Sequence, residues 1–190
     1  SWCYRKSYFQ GPIHRESGIT RMRVRTESYN SGGVKACGNS SYGEIEDYAV
    51  NIAAAPIMAL NRIKVEQDSV AVLPGTTNAV VVRSKVVVTG YTNRLSLTSM
   101  TINTLGTTAL TDITNIKVYY TANKDTFNTT NLFGSGSPAS VLTITGSALL
   151  EGDTNYFWVA YDVASAAVVG NAMDASVTSL IVGGVASTPS

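Results

Sequence analysis

Apolar and polar positions alternate with a period of two along most of this 190-residue chain, and the alternation is broken by glycine, proline and Asx residues, not by helical spacing. Candidate strands fall at 69–73, 79–89, 95–103, 116–121, 141–145, 156–163 and 177–182. Turn signals separate them at Pro74-Gly75, Gly90, Gly106, residues 134–138 and Glu151-Gly152-Asp153. This pattern predicts an all-β fold. Its main body is an antiparallel sandwich of Ig-like or jelly-roll type, preceded by a small, incomplete β-rich segment.

One stretch stands apart. From Asn155 to Val163, Tyr156, Trp158 and Ala160 fall on one side of an extended chain, and Phe157, Val159 and Tyr161 on the other. Neither side suits water, so the stretch predicts a central strand, covered on both faces, with Trp158 serving as structure and not as a ligand platform.

Near the N-terminus, Met22 and Val24 alternate with Arg21, Arg23 and Arg25, which predicts a strand with one cationic face. Glu44, Glu46 and Asp47 follow a Gly/Ser/Asn-rich loop and precede Tyr48 to Ile52. Their expected role is cross-strand pairing with the arginine row. Calcium is the other reading of such a cluster, but one local group rarely supplies the six to eight oxygens that ion takes. No metal site is expected. The same two strands could leave an edge unpaired, which would offer a template for another chain. The expected divisions are a partial segment at 1–52, a linker at 53–66 around Pro56, a sandwich at 67–185 and a tail at 186–190.

Composition narrows the function class. Charged residues make up 14% of the chain, well below the usual quarter or so, and Ser, Thr, Asn and Gly take their place, as in extracellular β-modules. The net charge of +1 gives no field that would draw nucleic acid, despite the aromatic and basic residues of the first 18 positions. No apolar run is long enough to cross a membrane as a helix; the sequence starts at Ser1 and not at Met, and the chain is expected to be a mature or internal piece of something longer, without a signal peptide of its own. Cys3 and Cys37 are the two cysteines. A disulfide between them is favoured over two free thiols, would add about 3–4 kcal/mol by loop entropy and would imply an oxidising compartment. They lack zinc spacing.

Catalytic signatures are wanting. His14 is the lone histidine, no Gly-x-Ser-x-Gly elbow frames a serine, and the glycine-rich patches lack the strand-to-helix setting of a phosphate loop. No cofactor is expected.

Two stretches carry family resemblances. Thr20 to Arg25, Ala36-Cys37-Gly38 and Gly43-Glu44-Ile45-Glu46-Asp47-Tyr48 together resemble the end of a GEVED domain, over about residues 20–52. Family members carry more strands and an Asp-rich stretch ahead of this point, so the copy here resembles a truncated one. Gln67-Asp68-Ser69, Asp112 to Thr121, Leu150 to Trp158, Ala160-Tyr161-Asp162 and Asp174-Ala175 resemble the N-terminal domain associated with BNR-repeat neuraminidases, over about residues 67–185. The resemblance implies a non-catalytic β-sandwich of a bacterial secreted or cell-surface protein. A sialidase would need a propeller with Asp-box motifs, an arginine triad and a tyrosine nucleophile, and it is not carried along with the accessory fold.

The expected role is therefore that of a structural or adhesion module. Its partners would be copies of itself, in a homo-oligomer or filament, or neighbouring domains of the same surface protein. The alternative is a carbohydrate-binding accessory domain of a sialidase-like glycoside hydrolase. Glycans would then contact Tyr91, Phe127 and Phe133, which fall in expected loops. Asp68-Ser69-Val70 matches a short O-glycosylation pattern of such bacteria, with Ser69 as the acceptor. No nucleic acid and no membrane insertion are expected.

Overall fold

A computed structural model describes residues 17–27 and 43–190 of the chain. Cys3 and Cys37 lie outside the described residues. The chain divides into two units, Ser1–Ala54 and Ala55–Ser190.

In the first unit, β1 (Gly18–Glu27) and β2 (Gly43–Ile52) form an antiparallel hairpin. Its register corrects the expected charge pairing. Asp47 lies opposite Arg23 and binds it twice, at 2.6 Å from Nε and 2.8 Å from Nη2, with Arg21 3.9 Å away. Those bonds hold the Asp47 carboxyl below its ordinary range. Glu44 and Glu46 lie opposite Thr26 and Val24, on the other face from the arginines, because each is one or three residues out of phase with Asp47. Glu46 instead accepts a hydrogen bond from the Tyr48 hydroxyl. Arg25 is paired in register with Ile45.

The second unit is a sandwich of two antiparallel sheets. Its strands are β3 (Ala59–Gln67), β4 (Ala79–Thr89), β5 (Ser96–Asn103), β6 (Ile113–Tyr120), β7 (Leu132–Gly136), β8 (Val141–Leu149), β9 (Asp153–Val163), β10 (Ser176–Val182) and β11 (Val185–Ser187). One sheet has the order β11-β10-β5-β8 and the other β3-β4-β9-β6-β7. The two-faced stretch becomes β9, and it lies in the middle of the five-stranded sheet.

Both of its faces are covered. Phe157, Val159 and Tyr161, each at 0% exposure, point between the sheets. There Phe157 stacks on Tyr120 (centroids 4.7 Å apart) and meets Phe133 edge-on (5.7 Å), while Leu97, Met100, Ile102, Ile144 and Leu180 face them from the other sheet. Burying each such side chain stabilises the fold by about 1.5–3 kcal/mol. On the outer face Trp158 and Ala160 form a second cluster with Tyr119, packed by Tyr156, Phe127 and Val80. Trp158 donates its indole N–H to Thr121 Oγ1 at 2.8 Å, and the Arg83 guanidinium lies 5.5 Å above its ring. Arg83 is held there by Glu66 and Asp125, and Lys85 joins Glu66 at 2.7 Å. Lys85 and Arg83 together keep the Glu66 carboxyl below its usual range.

Several segments differ from the sequence reading. Ala59–Gln67 forms an edge strand, although residues 53–66 read as a linker; Leu60, Ile63 and Val65 turn inward, helped by an irregularity between Leu60 and Arg62 that resets the alternation. Residues 69–73 form no strand. The chain leaves the sheet after the Asp68 N–H bonds Val81 O, the Asp68 carboxylate caps the Val70 N–H at 3.3 Å, and Val70 and Leu73 stay exposed. At the C-terminus, residues 185–187 pair with β10 and the Ser190 N–H donates to Ile63 O at 3.0 Å.

β7 falls where glycines read as a turn. Those glycines serve a close approach instead. A β-carbon on Gly146 would stand 2.1 Å from Phe133 O, and one on Gly134 would stand 2.5 Å from Thr145 O. β7 and β8 belong to different sheets, so this backbone seam closes one side of the sandwich. Gly146→Ala is expected to cost about 1–3 kcal/mol through forced backbone shifts, read as a drop in melting temperature of about 2–4 °C per kcal/mol. Ser147→Ala, one position along β8, serves as the control and leaves the melting temperature unchanged.

Candidate functional site

The three expected glycan contacts have different fates. Phe133 is 8% exposed and packs on Phe157 in the core, because its strand turns it inward. It is not available to a ligand. Phe127 is half-buried, wedged 5.6 Å from Tyr119 and 5.8 Å from Trp158, so its ring serves as a cover for the outer aromatic cluster. Tyr91 alone stands out, at 71% exposure. Ser69 lies exposed in the loop between β3 and β4.

Tyr91 is exposed but not loose. Its N–H donates to Pro56 O at 2.9 Å, and Thr92 and Met58 continue the clip, with Met58 N–H to Thr92 O at 2.7 Å. Gly90, at φ 78°, makes room: a β-carbon there would lie 2.2 Å from Ile57 O. The ring itself lies against Gly152, where a β-carbon would come within 2.7 Å of both Cδ1 and Cε1. Glycine at 152 is thus what lets the ring sit down on the Glu151-Gly152-Asp153 turn.

That turn is braced from β9. Asn155, at 0% exposure, donates to Glu151 O (2.8 Å) and Asp153 O (3.4 Å), while its Oδ1 accepts from the Glu151 N–H (2.8 Å) and the Tyr120 hydroxyl (2.8 Å). Burial pushes the Tyr120 phenol up to about 12, further above the neutral range in which it is in any case a donor. Asn123 donates to Gly152 O (2.7 Å) and Thr154 O (3.1 Å) from the other side. Arg94 binds Leu150 O (2.7 Å), Leu149 O (3.2 Å) and the Glu151 carboxylate (2.7 Å). So supported, Asp153 holds φ 80°, a left-handed conformation few side chains adopt.

The arrangement is an exposed aromatic ring seated on a turn that hydrogen bonds brace from both sides. Such a site can stack a flat apolar surface and hydrogen-bond its edge. Sequence reasoning found Tyr91 and the turn, but missed Asn155 and Asn123. Asn155 sits inside the apolar stretch, and a buried amide there signals a turn brace. Among the described residues no group of three or more His, Cys, Asp or Glu side chains could hold a metal ion. None of the described helices is long and apolar enough to cross a membrane.

Comparison with known proteins agrees with both resemblances and widens them. A GEVED domain profile matches residues 5–51, and the profile of the N-terminal domain of BNR-repeat neuraminidase matches residues 61–185. Among solved structures, the chain is similar to Hadza microbial sialidase Hz136, with a TM-score of 0.56 and 14% sequence identity. The match covers 67% of this chain and 30% of that one, and at such identity it speaks for the fold. No curated protein matches.

Asn155→Ala is expected to strip the side-chain acceptor from the Glu151 N–H and the donors from the Glu151 and Asp153 carbonyls, while the Tyr120 hydroxyl keeps Leu149 O at 3.0 Å, at a cost of about 1–3 kcal/mol. Chemical denaturation measures this. The same variant should broaden the Tyr91 ring resonances, since its seat is no longer braced.

Proposed function

The chain belongs to the family of N-terminal domains of BNR-repeat neuraminidases, preceded by a GEVED domain, and from that membership we propose that it is a non-catalytic accessory module that binds glycans through Tyr91. The carrying observation is the Tyr91 ring, 71% exposed yet seated on a turn that Asn155 and Asn123 hold in place. Sugar rings present an apolar C–H face that stacks on such an aromatic, and pre-organisation lowers the entropic cost of taking one up. Membership in a neuraminidase-associated family favours this reading over the structural and adhesive one. In this proposal the module works outside the cell or at its surface, holding a parent enzyme near glycan-bearing substrate.

Titration of the chain against a glycan array tests it. Tyr91→Ala should abolish sugar retention while leaving the melting temperature unchanged, because the side chain is exposed. Equal glycan binding by the wild type and the variant would remove Tyr91 from the site.

A further inference from the structure

The polar groups around the platform say which sugars fit it. We propose that the Tyr91 site takes a neutral pyranose and not an anionic sugar such as a sialic acid. This inference rests on the glycan-binding reading above.

Recognition of a sugar carboxylate calls for a cation with free, directed donors, and arginine's planar fork is best suited to that task. Among the described residues the arginine bound at the turn is Arg94, and it is already committed: its guanidinium binds the Glu151 carboxylate and the carbonyls of Leu149 and Leu150. Its charge is neutralised by Glu151. The Asn123 amide is spent on Gly152 O and Thr154 O. On the next turn, Lys124 is exposed and forms no ion pair among the described residues. A single lysine on a flexible stem is a hydrated point charge, without the two-pronged geometry that grips a carboxylate.

A free acceptor, by contrast, stands next to the glycine that seats the ring. Asp153 follows the Gly152 seat and is exposed, and among the described residues its carboxylate accepts a single hydrogen bond, 3.2 Å from Thr154 Oγ1 to Oδ1. The Glu151 carboxylate, on the other side of the seat, is paired with Arg94 and adds no free charge. Carboxylates accept hydrogen bonds and donate none when ionised. They match the hydroxyl donors of a neutral sugar stacked on Tyr91. A sugar carboxylate brought to the same place would meet like charge.

The test uses the intact 190-residue chain and matched probes. Saturation-transfer NMR and titration compare lactose, with a panel of neutral methyl pyranosides, against sialyllactose, which differs from lactose by the anionic residue. Expected is saturable binding of at least one neutral sugar, weakened at least about tenfold by Tyr91→Ala and kept by Tyr91→Phe, with sialyllactose no tighter than lactose. Tighter binding of sialyllactose that also depends on Tyr91 would overturn the neutral preference and leave the platform standing. If neither class binds, or if Tyr91→Ala changes nothing, the glycan-binding reading falls, and this inference with it.

Discussion

Everything in the sandwich follows from the need to cover β9 on both faces. A strand whose alternate positions are Phe157, Val159, Tyr161 and Trp158, Ala160 has no side to give to water. The inward side is met by the four-stranded sheet, as in any sandwich. Among the described residues of the second unit no further sheet covers the outward side, and a local cover is built from what lies nearby. Phe127 folds over from the loop between β6 and β7, and Arg83 lays its guanidinium on Trp158. Glu66, Asp125 and Lys85 then fix the arginine in place. These ion pairs are partly exposed, so their main contribution is to orient Arg83 and less to supply energy of their own.

The same strand builds the candidate site. Its beginning carries Asn155, which is fully buried beside the Glu151-Gly152-Asp153 turn. A buried amide there must satisfy four hydrogen-bonding positions, and the Glu151-Gly152-Asp153 backbone together with Tyr120 supplies the partners. Packing in the core thereby fixes a surface turn, and the turn fixes the Tyr91 ring. Site rigidity and core integrity are linked through one residue.

How much of this was legible depended on the period of the pattern. The alternation gives β4 to the residue and β5 and β10 to within one, and it gives β9 from Tyr156 onward, three residues after its start, because these segments are regular or doubly apolar over many positions. β3 was hidden by an irregularity at Leu60–Arg62, which throws the inward residues out of phase. β7 was hidden by Gly134 and Gly136, since a glycine that permits a close approach looks the same in sequence as one that permits a turn. Residues 69–73 failed the other way, apolar but lifted off the sheet by the Asp68 turn. At the site, exposure decided among three aromatic residues that sequence could not tell apart. Tyr91 stayed on the surface, Phe127 became a lid and Phe133 joined the core. The fold family was legible because its motifs cluster in and around β9.

Native-state hydrogen exchange at the β9 amides tests the central position of this strand most directly. Flanked by β4 and β6 along most of its length and buried on both faces, β9 should open only with the whole domain. The account predicts that Phe157 to Tyr161 exchange with the free energy of global unfolding measured by denaturant, and more slowly than the edge strands β3, β7 and β11. Exchange of these amides through a smaller local opening, with β5 and β10 still protected, would contradict it.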